Sequence, residues 1–301
     1  MWDIQPILRS KVIIFIMNSE VIPIPRFNYM FRIQSHIRGA FNMDDKHSHK
    51  PHEIYYLRKG QRYYFIDDRI YHVHQGDLIF VPSFVLHRTT AADNRDHERT
   101  VVYFQDRFLE DLIPDIVAHP IMNRFYSEPK VVRLKLADQI VVENILSKLS
   151  LEYQKPQPNS ELYLKILLIE LLLVATRIGT ADSSVYEPLS PVHEKIHKIV
   201  RYLRTNYQRP FSLKQLAAQF YISQCYLSRM FKAVTGLTLI EYLNTIRIQE
   251  AKKLLADEGL TITEIADMVG YESQTYFGRM FKRITGLSPR EYRKQHGAGH
   301  H

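Results

Sequence analysis

The sequence predicts an α+β chain: an N-terminal β-barrel, a helical segment, and an all-α C-terminal part built on two helix-turn-helix units. Three observations carry that expectation. Tyr221–Tyr242 (YISQCYLSRMFKAVTGLTLIEY) returns as Tyr271–Tyr292 (YESQTYFGRMFKRITGLSPREY) with 13 of 22 positions identical, so one supersecondary unit is used twice. Residues 30–105 divide into short, evenly spaced, aromatic-rich runs, the pattern of a small barrel or sandwich. Between these regions, residues 134–153 and 161–178 return to helical spacing, broken by Pro156 and Pro158.

Residues 1–29 read as an N-terminal extension. Val12–Met17 (VIIFIM) follows Arg9 and Lys11, but the run is too short for a signal peptide and no small-residue cleavage site follows it. Translation starting at Met17 explains it equally well. Within residues 30–105, Arg62–Ile66 (RYYFI), Ile70–Val73 (IYHV) and Leu78–Val81 (LIFV) alternate with the turn signals Asp67-Asp68 and Gln75-Gly76-Asp77, and Pro82 ends the series. Residues 106–179 form the helical segment. Its stripe of Leu164, Leu167, Leu168, Leu171, Leu172 and Ala175 is wider than packing on one small barrel needs, which points to homodimerisation through this helix or its neighbour. The same region is the most apolar of the chain. It is broken by Lys165 and Glu170 and falls short of the ~20 residues a bilayer helix needs, so no membrane partner is expected. Residues 180–192 (Thr180–Pro191, TADSSVYEPLSP) are polar and Pro-containing, hence a linker, and residues 296–301 (ending GAGHH) read as a tag remnant.

Residues 193–295 hold the repeat. Leu227, Met230, Phe231 and Val234 form one apolar stripe, and Cys225, Ser228, Arg229 and Lys232 the stripe beside it. The second copy sets Phe277, Met280, Phe281 and Ile284 beside Thr275, Gly278, Arg279 and Lys282. Ser223 and Ser273 sit as N-caps, Gly236 and Gly286 as the glycines that end each helix. A shorter helix precedes each copy, opened by Ser212 and by Thr261. Short helix, turn, longer helix is the helix-turn-helix order, whose second helix enters the major groove. The intervening Tyr242–Ala256 is a rigid spacer, which would place the two recognition helices in grooves one turn, roughly 34 Å, apart.

Charge separates this reading from an ordinary helical bundle. Residues 193–295 carry 17 Lys and Arg against 9 Asp and Glu, a net +8 equal to that of the whole 301-residue chain, so the basic excess lies entirely on the duplicated part, as phosphate binding requires. The single cysteine, Cys225, excludes an internal disulfide framework and fits a reducing cytoplasm.

These residues resemble the DNA-binding domain of the AraC/XylS family of bacterial transcription regulators, down to the tail GYESQTYFGRMFKRITGLSPREYR at Gly270–Arg293. The resemblance implies base reading by Cys225, Ser228 and Arg229 in the first unit and by Gln274, Thr275 and Arg279 in the second, with Lys232 and Lys282 on the same stripes. Cys225 and Gly278 are poor hydrogen-bonding partners for bases, so direct readout leans on the two arginines. It further implies double-stranded promoter DNA and RNA polymerase as partners.

The barrel region carries a second resemblance. His47-x-His49-x3-Glu53-x6-Gly60, then Gly76-x5-Pro82 and His87, is similar to the two cupin motifs, and a cupin barrel is the usual sensory domain of AraC-type regulators. In metal-dependent cupins the equivalent of His47, His49, Glu53 and His87 holds a metal, here zinc, iron, nickel or manganese. This chain departs from the pattern: Phe84 stands where cupins carry glycine, and no Asn follows His87 at the usual interval. The same four residues, with Tyr55 and Tyr63, can instead hydrogen-bond a sugar or other small polar effector. The expected protein is therefore a cytoplasmic, ligand-responsive, non-enzymatic transcription regulator; a metal-responsive regulator, a cupin enzyme fused to a DNA-binding module, and an architectural DNA binder remain alternatives.

Overall fold

A computed structural model describes residues 29–39, 50–93, 96–128, 130–178, 189–256 and 259–296. The extension with its Met17 start, most of the linker, the terminal remnant, and His47 and His49 lie outside the described residues.

The first strands are β1 (Phe31–Gly39), β2 (His52–Lys59), β3 (Gln61–Ile66), β4 (Arg69–His74), β5 (Asp77–Val81), β6 (His87–Ala91) and β7 (His97–Phe104). A one-turn helix α1 (Asn123–Tyr126), strand β8 (Val131–Arg133) and the long helices α2 (Leu136–Gln154) and α3 (Ser160–Arg177) follow. The strands form two antiparallel sheets, ordered β1-β7-β2-β5-β8 and β4-β3-β6. Each strand alternates its side chains between two faces, and both faces of both sheets are used.

On the five-stranded sheet, Ile54, Tyr56, Leu78, Phe80, Val102 and Phe104 pack outward against α2 and α3. Tyr55, Leu57, Ile79, Val81 and Val101 point inward, where Tyr64, Ile66, Tyr71 and Val73 of the three-stranded sheet meet them. The leucine stripe of α3 is consumed within the chain. Leu164, Leu167, Leu168, Leu171, Leu172 and Ala175 are all buried against α2 and the sheet, so the width read as a dimer surface reflects packing on two neighbours at once.

The C-terminal part comprises α4 (Pro191–Thr205), α5 (Leu213–Gln219), α6 (Gln224–Thr235), α7 (Leu239–Leu254), α8 (Ile262–Met268), α9 (Gln274–Thr285) and α10 (Pro289–His296). Helix α4 begins two residues before the expected start at His193, with Pro191 in its first turn and the Ser190 hydroxyl accepting from the His193 amide. α7 serves two small cores, giving Leu239, Tyr242 and Ile246 to one and Ile248 and Ala251 to the other. Its Arg247 is buried, donates to the backbone carbonyls of Tyr207 and Arg209 at 2.8 and 2.9 Å, and lies over the Tyr271 ring. The Tyr271 hydroxyl donates to Asn244 Oδ1 at 2.9 Å. These bonds tie the second helix-turn-helix to the spacer and fix its angle to the first.

The first core does not stop at the C-terminal part. Phe65, Ile70 and Leu86, on the outer face of the three-stranded sheet, belong to the same cluster as Ile196, Ile199, Phe231 and Tyr242.

Candidate nucleic-acid interface and effector site

Both recognition helices are built as their sequence directs. The Ser223 hydroxyl accepts from the Tyr226 amide and Ser273 from Tyr276, each satisfying an orphan donor of the first turn. Gly236 and Gly286 take the left-handed conformation, φ 78° and 83°, that ends α6 and α9. Thr238 and Thr261 form full capping boxes with Glu241 and Glu264. The turns inside the two units differ. The second uses Gly270 at φ 88°, with the Gln208 carbonyl so close that an added Cβ would lie 2.5 Å from it. The first places Tyr221, 93% exposed, at φ 54°, a strained conformation for a bulky residue.

Cys225, Ser228, Arg229 and Lys232 are exposed on α6, and Gln274, Thr275, Arg279 and Lys282 on α9, while Leu227 and Phe231, and Phe277 and Phe281, are buried behind them. Ile284, expected on the apolar stripe, is largely exposed. The guanidinium carbon of Arg279 lies 5.9 Å from the centroid of the Tyr276 ring, within cation–π range.

Inside the barrel, Glu53 and His87 come together. The Glu53 carboxylate accepts from the Tyr64 hydroxyl at 2.5 Å, and its other oxygen lies 3.3 Å from His87 Nε2. His87 Nδ1 faces the Val85 carbonyl at 2.9 Å and so carries a proton. Burial works against the imidazolium, but the adjacent carboxylate and the Val85 carbonyl outweigh it, and the His87 pKa is raised. Burial and Glu53 together push the Tyr64 and Tyr103 phenols up, keeping both as donors. Tyr55 also lines the lumen. Tyr63, expected to touch the effector, does not: it is on the opposite face of β3, stacked between His72 (4.7 Å between centroids) and His193 of α4 (3.7 Å). Phe65 likewise faces outward, against Tyr242.

Of the four residues of the metal reading, only Glu53 and His87 are placed, since His47 and His49 lie outside the described residues. Among the described residues no three His, Cys, Asp or Glu side chains converge on a metal-sized point, and Glu53 and His87 are directed at each other rather than at a shared third position.

The model for AraC-like ligand binding domains matches residues 36–172, and the model for a helix-turn-helix domain matches residues 216–295; together they span more than two thirds of the chain. This chain belongs to the AraC family of transcription regulators. It is 26% identical over 258 residues to the HTH-type transcriptional activator RhaR of Cronobacter sakazakii (85% of this chain, 89% of the relative). It is 22% identical over 249 residues to the RhaR of Mannheimia succiniciproducens (83% and 87%). It is 27% identical over 234 residues to the HTH-type regulator YbfI of Bacillus subtilis (78% and 81%). No helix among the described residues is long and apolar enough to cross a membrane.

This AraC-type regulator contains a contact that its sequence did not announce. The DNA-binding part rests directly on the outer face of the three-stranded sheet. Arg204 of α4 donates to Asp67 Oδ2 at 2.6 Å and lies 3.6 Å from Asp68. The Tyr242 hydroxyl reaches the Asp67 carbonyl at 3.3 Å. Arg88 of β6 donates to the Lys232 carbonyl at 2.7 Å, a cation placed at the C-terminal end of α6, where the helix dipole favours it. Burial, aided by the nearby His72, pushes His193 down to about 4, so it packs on Tyr63 as a neutral ring. Sequence reading also missed Arg62, Thr89, His97 and Arg99, all buried. The available signal was strand parity: on β3, Arg62 shares its face with Tyr64.

Proposed function

We propose that this regulator activates promoters in response to a sugar or other small polar metabolite held in the barrel lumen, and that β3 carries the signal. The observation behind this is the alternation along that strand. Arg62 and Tyr64 face the lumen, where Tyr64 bonds Glu53 and Arg62 bonds Thr89, whereas Tyr63 and Phe65 face α4 and α7. A ligand that displaces Tyr64 moves a strand whose other face seats the DNA-binding part, so the lumen and the recognition helices bias one shared element. On this reading the linker at residues 180–192 is a tether rather than the transmitter of the change.

Removing the polar part of this contact tests the route. Arg204→Ala should alter effector-free affinity for an operator selected from a random DNA pool by several fold and should blunt any effector response. Anisotropy titrations of both proteins read this out. Identical curves for Arg204→Ala and the parent, with and without effector, would return the signal to the linker.

The relatives named transcriptional activators support activation; engagement of RNA polymerase and a cytoplasmic location accompany that reading. Dimerisation is placed on a different surface from the α3 leucine stripe. Leu162, Ile166 and Leu173 lie exposed on α3, and Leu136, Ile140 and Leu151 on α2, each set following a helical face. An apolar patch of this kind in a soluble protein marks a partner surface. Sedimentation should show a dimer at micromolar concentration that Ile166→Glu converts to monomer, while the fragment 189–296 stays monomeric. A dimer untouched by Ile166→Glu would move the interface elsewhere.

A further inference from the structure

The turn between β5 and β6 touches both the lumen and the second helix-turn-helix. The Val85 amide closes it on the Pro82 carbonyl at 3.3 Å, which makes Phe84 its third residue. Phe84 takes the left-handed region, φ 60°, where glycine is free and a bulky side chain is strained. Burial of the ring does not offset that strain, because Phe84 remains 55% exposed. The group its ring meets belongs to the DNA-binding part. Lys252 Nζ of α7 lies 5.6 Å from the Phe84 ring centroid and 5.5 Å from that of Tyr292 in α10, both within cation–π range. Tyr292 in turn packs edge-on against Phe281, a buried residue of α9, with centroids 5.4 Å apart. The ammonium therefore bridges a barrel turn and the core of the second unit, and its partial burial lowers the Lys252 pKa. On the barrel side the turn is anchored to the lumen. Val85, next to Phe84, presents its carbonyl to His87 Nδ1 at 2.9 Å, and His87 Nε2 lies 3.3 Å from Glu53. On the other flank, the Ser83 amide donates to His52 Nδ1 at 3.1 Å.

We infer that Phe84 is a positioning residue for the second recognition helix: through Lys252 and Tyr292 it sets the seat of α9 according to the state of the Glu53–His87 pair. This rests on the barrel governing the DNA-binding part and adds a separate path to it. The β3 contact reaches the core of the first unit, whereas Tyr292 packs against the core of the second. Strained backbone persists where the surrounding structure uses the conformation, and here it aims an aromatic ring at a cation of the other part. The backbone of Phe84 is held on both flanks by lumen-side groups, so a ligand that shifts His87 changes where that ring points.

Hydrogen exchange of the full-length protein, without DNA or ligand, tests the bridge. Glycine suits the backbone at this position, so Phe84→Gly should leave the barrel protected while amides of α9 and α10 exchange about two- to fivefold faster, the size of one cation–π contact. Phe84→Tyr should keep the parent's rates, and adding Phe84→Gly to Lys252→Met should change nothing beyond Lys252→Met alone. Glu53→Gln, which perturbs the lumen pair, should alter exchange of α10 in the parent and leave it unaltered in Phe84→Gly. Additive effects of Phe84→Gly and Lys252→Met, or a Glu53→Gln effect that survives Phe84→Gly, would overturn the inference. Faster exchange throughout the barrel of Phe84→Gly would also overturn it, reducing Phe84 to a prop of its own turn. Arg204→Ala separates this path from the β3 route. If it loosens α4 while Phe84→Gly leaves α9 and α10 unchanged, the Phe84 path falls and the β3 route stands; if neither variant alters the DNA-binding part, both fall.

Discussion

Arg229→Ala and Arg279→Ala should each weaken operator binding by about 1–3 kcal/mol and relax discrimination at one base pair, in separate half-sites. The two side chains are exposed at matching places on α6 and α9, on helices whose caps and spacer hold them rigidly. Guanidinium is suited to bidentate contact with guanine, whereas neighbouring Cys225 and Ser228 offer weaker bonds. Lys232→Ala, by contrast, should weaken all sequences about equally and lower the salt slope by about 1. An operator series measured at fixed salt, then repeated across salt concentrations, separates the two behaviours. Arginine variants that lose affinity for every sequence alike would reduce α6 and α9 to phosphate binders.

Glu53→Ala should destabilise the barrel by about 3–5 kcal/mol, the cost of leaving the partner of a buried pair uncompensated. Its carboxylate is fully buried, accepts from Tyr64 and pairs with His87. Glu53→Gln should cost less, because an amide oxygen still accepts from Tyr64. The pair also fixes the sign of a pH effect. His87 is raised above the ordinary histidine value of about 6.5, so its contribution is fully present below that pH and is lost as pH rises through the raised value. Denaturant midpoints across neutral to alkaline pH should therefore fall for the parent and flatten for Glu53→Gln. A Glu53→Ala protein as stable as the parent would mean that the buried pair contributes no net stability.

The helix-turn-helix half was legible because local signals suffice there: caps, closing glycines and a 3.6-residue stripe are all short-range, and the repeat states them twice. The barrel strands were legible from turn residues, but their faces were not. In Arg62–Ile66 aromatic residues occupy consecutive positions because β3 is covered on both sides, by the lumen and by the DNA-binding part. Alternation of polarity, which would have assigned Tyr63 outward and Tyr64 inward, is therefore erased. Arg62 and Arg99 escaped for a related reason: arginine is so seldom fully buried that sequence alone reads it as surface. The α3 leucines misled in the opposite direction, since a helix wedged between α2 and a sheet shows the same wide stripe as one that meets a second subunit.

Helix α7 has a consequence for how the protein comes apart. Tyr242 and Ile246 belong to a core that also contains Phe65, Ile70 and Leu86 of the barrel, and Ile248 and Ala251, barely one turn further on, belong to the core of the second unit. A helix cannot melt at one end while staying docked at the other without fraying through Arg247, whose guanidinium holds two carbonyls across the junction. The slowest-exchanging amides of the C-terminal part should thus cluster in the middle of α7, and protection should decay outward from there toward α10.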